Sequence, residues 1–243
     1  MVKGLDIFTR WFELYVDQYV LIGGTAASIS MGELGLSFRG TRDLDVVLHV
    51  EALTPEFGKV FWKFIEAGRY QIQQSNQGSP KLYRFKEPQE EEFPFMVELF
   101  SRVPDGIDVS EYNHLTPIPI DDEVSSLSAI LLDDDYYQFV ISGRKTKSGF
   151  ASWVAEDRLI PLKALAWLDM MDRKNSGELI DSKKIEKHRK DIVVLSGLLS
   201  QDTRIDTPPR ISQDLRRFIE KASSKDASDI NHIKERLFLA YGL

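Results

Sequence analysis

Residues 41–50, TRDLDVVLHV, set two aspartates, Asp43 and Asp45, directly before the apolar run Val46, Val47 and Leu48. β-Branched composition predicts a strand over 43–50. Acids at i and i+2 of a strand point the same way. A rise of about 3.3 Å per residue puts their Cβ atoms roughly 6–7 Å apart, close enough for both carboxylates to bind one hard cation. Like charges side by side on a half-buried strand are unfavourable unless water, a base or a metal compensates them. A solvated strand start explains the pair equally well, so these two residues alone leave both readings open.

Upstream, YVLIGGTAASIS at 19–30 reads as a buried strand over 19–23, a Gly23-Gly24 turn and a helix over 25–34 initiated by Thr25. A strand, a glycine turn and a helix N-terminus together make an anion site: free backbone N–H groups and the helix dipole face the anion, and glycine lets it approach closely. The spacing matches neither GxGxxG nor GxxxxGK[ST], so neither of those nucleotide-binding loops is supported. Downstream, in FPFMVELF at 93–100, Glu98 interrupts an apolar strand expected over 94–100. Period two puts Met96, Glu98 and Phe100 on one face and Phe95, Val97 and Leu99 on the other. A buried lone carboxylate is costly, so Glu98 should face solvent at a sheet edge or a site that holds a cation.

The rest of the chain places these motifs. Of 243 residues, 42% are hydrophobic and 28% charged, and the formal net charge is −7, which excludes a disordered chain and fits one large or two small domains. Cysteine is absent, which removes disulfides, thiolate chemistry and Cys-ligated zinc. Residues 1–155 carry 14 basic against 23 acidic side chains and residues 156–243 carry 17 against 15, a composition shift that suggests a boundary near 155. In the first part we expect helices over 5–17 and 55–67 and further strands over 69–75 and 81–86. The segments 87–92 and 104–123 read as surface connections, and 124–155 is the least legible stretch. In the second part Leu159, Leu162, Leu165 and Leu168 suggest one face of a helix ending near Arg173. A helix over 181–200 capped by Asp181 or Ser182 follows, then a break at Pro208-Pro209 and helices over 211–222 and 229–240. Acids interrupt the N-terminal apolar residues as no signal peptide would allow, and no run reaches the roughly 18 apolar residues of a membrane span. A cytoplasmic address with no membrane partner is expected.

Taken in order, the strand, GGTAAS, RGTRDLD with Arg39-x-Thr41-x-Asp43-x-Asp45, and a later apolar strand bearing one acid resemble the nucleotidyltransferase superfamily, and more narrowly the AbiEii-type toxin nucleotidyltransferases. Lys163, Ala166 and Arg173, followed by Lys190-Asp191, resemble that family's C-terminal pattern of a Lys helix and a basic-Asp helix. The resemblance covers about 19–100 and 157–200. It implies an α/β (α+β) fold: a nucleotidyltransferase-like mixed-sheet core flanked by helices over 1–155, then a helical C-terminal domain over 156–243. It implies transfer of a nucleoside monophosphate from a nucleoside triphosphate (NTP) to an acceptor with release of pyrophosphate, dependent on Mg²⁺ or Mn²⁺. Asp43, Asp45 and Glu98 would be the metal-holding, catalytic acids, with their carboxyl groups within about 4–8 Å of each other, compatible with two-metal chemistry. Gly23, Gly24, Thr25, Arg39, Thr41, Lys163 and Asp191 would bind the nucleotide. RNA or tRNA is the implied acceptor, and an antitoxin protein the implied partner. Two departures stand out: 18 residues separate Gly24 from Asp43, which calls for a longer helix or an extra turn, and Val194 stands where the family has a second Asp.

Two further functional classes stay open, a nucleotide-binding regulatory protein without turnover and a transferase acting on a small molecule. Lys163, in a segment rich in Ala, Leu and Trp, either reaches water along its own stem or points at an anion. The basic run DSKKIEKHRKD at 181–191 is a solvated helix face or a platform for nucleic acid or triphosphate. GRKTKSG at 143–149 reads as an exposed hairpin turn, and Asp133 to Asp135 as a loop. His49, His114, His188 and His232 show no metal-ligand spacing, and no GxSxG elbow occurs.

Overall fold

The computed structural model describes residues 2–74, 80–102, 115–117, 128–223 and 228–243. They form two compact units, Met1–Val154 and Ala155–Leu243. No helix among the described residues is long and apolar enough to cross a membrane.

The first unit is mixed α/β. Its elements in chain order are α1 (Leu5–Trp11), β1 (Tyr19–Ile22), α2 (Gly23–Glu33), β2 (Asp43–Leu48), α3 (Pro55–Ala67), β3 (Gln71–Gln74), β4 (Pro80–Lys86), β5 (Met96–Ser101), β6 (Leu115–Pro117), β7 (Ser128–Leu131), α4 (Asp134–Ser142), β8 (Arg144–Lys147) and β9 (Ala151–Val154). The strands build one sheet in the order β3-β4-β5-β2-β1-β9-β8, with β7 paired to β5 and β6 to β7. β1 runs antiparallel to β2 and parallel to β9, and β2 runs parallel to β5. All four residues of β1 and of β9 are buried, as expected of central strands covered on both faces.

α3 shows how local sequence fixes an element. Pro55 occupies the first turn, where its missing N–H costs nothing, and the Thr54 hydroxyl caps the helix by accepting from Phe57 N at 3.3 Å. Phe57, Phe61 and Phe64 then recur on the buried face. They meet Phe8 and Phe12 of the α1 segment, with Phe12 centroids 5.5 Å from Phe57 and 5.5 Å from Phe64.

Several boundaries differ from the sequence reading. α1 stops at Trp11, short of 17, because the chain tightens into a 3₁₀ turn over Glu13–Tyr15 that carries it into β1. α2 begins at Gly23 instead of Thr25. Asp133 to Asp135 are not a loop: Asp133 caps α4 by accepting from Asp135 N, and the next two acids lie in its first turn, where the dipole favours them. Residues 144–147 of the GRKTKSG stretch are strand, forming a hairpin with β9. Residues 87–92 connect β4 to β5 without regular helix or strand. Of 104–123, only Leu115–Pro117 lies inside the described residues, as a strand.

The second unit is helical: α5 (Glu156–Asn175), α6 (Ser182–Ser196), α7 (Pro209–Ser223) and α8 (Ser228–Tyr241). Asp181 caps α6 by accepting from Lys183 N at 2.9 Å. α5 buries Leu159, Ile160, Lys163, Ala164, Trp167 and Leu168, while Leu162 and Leu165 are only half-buried. The three-residue leucine spacing drifts off the 3.6-residue helical face. Pro161 sits inside α5 and lacks the N–H that would bond the Asp157 carbonyl. The buried Tyr241 hydroxyl donates to that carbonyl instead, at 2.9 Å.

Candidate functional site

The site grows from the junction of β1 and α2. Gly23 has φ +65°, which lets the chain turn straight from strand into helix. The side-chain space it leaves open is filled by the Asp45 carboxylate, because a Cβ on Gly23 would overlap Asp45 Oδ2. A Cβ on Gly24 would meet Thr41 Oγ1 at 3.0 Å. The N-terminus of α2 thus has an acid from β2 seated against it, a favourable place for negative charge. α2 is buried on most of its surface, with Ala26 and Ala27 fully covered, and such small residues let it lie close to the sheet.

Thr25 is completely buried, and its hydroxyl donates to the Asp43 carbonyl at 3.0 Å. The hydroxyl of a residue expected to contact triphosphate is thus engaged within the fold. The hydroxyl clamps the start of β2 to the first turn of α2, which fixes the height at which Asp43 and Asp45 leave the strand.

Sheet register extends the site sideways. Ile22 lies opposite Asp45, Asp45 opposite Glu98, and Glu98 opposite Arg84 of β4. Residues paired in this way share one face of the sheet, so Asp45, Glu98 and Arg84 form a cross-strand row. Glu98 is 8% exposed. The cation it faces is Arg84, whose Nε donates to Glu98 Oε1 at 2.5 Å while Nη2 pairs with the same oxygen. Among the described residues no group of three or more His, Asp or Glu is placed to hold a metal ion. Of the three acids expected to hold metal, Asp43 and Asp45 share one face of β2 and the Glu98 carboxylate pairs with the Arg84 guanidinium.

Sequence reasoning missed Arg84. The signal was present, since YRFK breaks the apolar alternation of β4 much as Glu98 breaks that of β5, but matching the two breaks requires the strand register. Arg39 lies in the segment between α2 and β2 with its guanidinium carbon 5.1 Å from the Phe38 ring centroid, and Arg42 holds the same relation to Phe95 at 4.9 Å. The 18-residue interval after Gly24 is taken up by the body of α2 and this extended connection, with no further helix.

At the opposite end of β2 a second polar cluster forms. Tyr137 donates to Glu51 Oε2 at 2.7 Å and Arg102 Nε to Glu51 Oε1 at 2.8 Å. Burial alone would raise the Glu51 carboxyl, but the Tyr137 and Arg102 hydrogen bonds outweigh it and hold the group below its usual range. Burial, reinforced by the bond to Glu51, pushes the Tyr137 phenol up.

In the helical unit Lys163 Nζ meets Asp191 Oδ2 at 2.7 Å, with the two residues 5% and 3% exposed. Lys163 therefore neither reaches water along its stem nor stands open to an anion, because a buried ammonium needs a buried partner and Asp191 provides one. Around them on α6, Lys183, Lys184, Lys187 and Lys190 are exposed, and Arg189 is held by Glu186 at 2.6 Å and Asp229 at 2.5 Å.

The molecule is thus a mixed α/β unit bearing paired aspartates at a strand–helix junction, with a helical unit after it in the chain. No family model and no curated protein matches it. Among solved structures it is similar to an antigenic nucleotidyltransferase-like protein from Paracoccidioides brasiliensis, with TM-score 0.48 and 14% sequence identity over 94% of this chain and 92% of that one.

Proposed function

We propose that the chain is a nucleotidyltransferase that moves a nucleoside monophosphate from an NTP to an acceptor. One observation carries the proposal: Asp43 and Asp45 leave the same face of β2, and the Asp45 carboxylate is seated on the N-terminus of α2. Two aspartates held in that way fit a hard divalent cation, Mg²⁺ or Mn²⁺, whose contribution would be charge stabilisation on phosphate oxygens. The protein's own part is positioning, which is most of what phosphoryl-type transfer asks of a protein. Thr25 fixes the strand start, Gly23 and Gly24 leave room for the Asp45 carboxylate and the Thr41 side chain against the helix end, and Arg39 and Thr41 lie on the connection that leads into the acids. In the reaction an acceptor oxygen bonds to the α-phosphorus, the bond from that phosphorus to the bridging oxygen breaks, pyrophosphate leaves with the electron pair, and the acceptor's proton passes to Glu98 or to water. The AbiEii-type subfamily, an RNA or tRNA acceptor, a toxin role with an antitoxin partner and a cytoplasmic setting are parts of this proposal that rest on the resemblance of GGTAAS and RGTRDLD.

A second reading, nucleotide binding without turnover, is favoured by Arg84 standing on Glu98. Incubation with each α-³²P-labelled NTP, Mg²⁺ and total RNA separates the two. Label on RNA that is lost in Asp43→Asn and Asp45→Asn supports transfer. Label on a small molecule in an added extract moves the acceptor class. Saturable NTP binding with no label transferred to any acceptor overturns the proposal in favour of the second reading.

A further inference from the structure

We infer that the outer face of α6 is a docking surface for a single-stranded nucleic acid, held through its phosphodiester backbone. The inference stands apart from the reading of Asp43 and Asp45, because it places the strand on the helical unit and needs neither divalent cation nor nucleotide.

Helical spacing lines up Lys183, Lys187 and Lys190 at i, i+4 and i+7, one row along α6, and all three are exposed, with Lys184 beside them. Burial of Ile185, Asp191, Ile192 and Leu195 fixes the opposite face, so the helix cannot roll the row inward. The row differs from an ordinary solvated face in how the acids of the helix are used. Residues 181–191 hold five Lys and Arg against three acids. Asp181 is turned back as the N-cap, Glu186 takes two contacts from Arg189, and Asp191 is buried against Lys163. None is left to neutralise the row. Among the described residues Lys183, Lys184 and Lys187 make no ion pair, and Lys190 has Glu186 at 4.0 Å.

Shape and chemistry then choose the partner. At a rise of about 1.5 Å per residue the three ammonium groups of the row are spread over about 10 Å. Phosphates of a stacked strand advance about 3.4 Å each, so the row faces roughly three or four consecutive phosphates. An anionic membrane would call for apolar side chains among the cations to enter the headgroup layer, and a folded acidic protein for an apolar or aromatic centre to the patch. Neither is present on this face: its exposed residues from 182 to 190 are all polar, and the first exposed apolar one, Val194, lies beyond the row. A linear polyanion is the partner that such a row fits.

Fluorescence anisotropy of labelled oligo-U and oligo-dT strands of about 12 nucleotides, read on the full chain between about 50 and 200 mM NaCl, tests this. The parent should bind with a Kd on the order of 10⁻⁴–10⁻⁶ M that weakens as salt rises. K183Q/K187Q/K190Q should lose about tenfold or more at the lower salt, and its log–log salt slope should flatten by about 2, since each single-strand phosphate contact contributes about 0.7. K183R/K187R/K190R keeps the charge and should bind within about threefold of the parent. K59Q/K63Q/K145Q removes the same charge from exposed positions of the first unit and should stay within about threefold as well. Loss with the row on either oligomer supports the inference, and the pair of oligomers tells RNA from DNA. Equal binding and equal slope in the parent and the α6 glutamine variant overturn it, as does an equal loss in the first-unit control. Absence of binding of both oligomers to the parent overturns it too, whether or not phosphatidylserine vesicles bind through the row. Far-UV circular dichroism on each variant separates a lost contact from a lost fold, and none of these outcomes bears on the acid pair.

Discussion

Gly23→Ala tests the geometry of the site without touching an acid. Two costs follow from the structure. Gly23 has φ +65°, a region that costs an L-residue roughly 1–2 kcal/mol. The new methyl would also occupy the space of Asp45 Oδ2 and crowd its Cγ at 2.9 Å, so the carboxylate must swing away from the α2 N-terminus. Removing a charge–dipole contact of that kind costs about 0.3–1 kcal/mol more. The total of roughly 1–3 kcal/mol corresponds, at about 2–4 °C per kcal/mol for a chain of this size, to a fall in Tm of about 2–12 °C. Cation binding should fall as well, by on the order of tenfold to a hundredfold, since the variant displaces one of two ligands. Gly32→Ala is the matched control: a Cβ there meets nothing within 4 Å, and in the same helix the change should be neutral or stabilising by roughly 0.5–1 kcal/mol. Adding Asp45→Ala to Gly23→Ala should recover the steric part of the lost stability but not the backbone part. Thermal melts and Mn²⁺ titrations of the four proteins read all of this. A Gly23→Ala protein that melts with the parent and binds Mn²⁺ equally well would refute the placement of Asp45.

Tyr241→Phe should cost about 1–3 kcal/mol in urea denaturation, because the Asp157 carbonyl then loses its donor inside a helix where Pro161 cannot supply one. Pro161→Ala in the same background should recover part of that loss. Lys163→Met leaves the Asp191 carboxylate buried without its ammonium and should destabilise by about 3–5 kcal/mol, while K163M/D191L should be the milder change; equal losses would argue against a buried pair. Glu51 has a folded pKa below its unfolded value of 4.5, so its contribution is fully present above about that pH and is lost as pH falls through the folded value. Tyr137→Phe removes one of the bonds that lower it and should move the onset of acid unfolding to higher pH, as followed by circular dichroism.

Local signals made most elements legible. Thr54-Pro55 and the Phe57, Phe61, Phe64 spacing gave α3 its observed limits because the cap, the first-turn proline and the buried face agree. The paired aspartates and the glycine turn were legible for the same reason, since each is read within ten residues. What stayed hidden depends on register and burial. Arg84 and Glu98 are 14 residues apart, and only the β4–β5 pairing brings them into contact. Lys163 and Asp191 are 28 apart on separate helices, so local sequence could not pair them, and the resemblance alone set both toward a nucleotide. Thr25 looked like a helix start facing a ligand because nothing local says that β2 begins directly beneath it. The Asp133–Asp135 acids were misread because an N-cap and a polar loop begin with the same residue types, and the helix that separates them lies downstream.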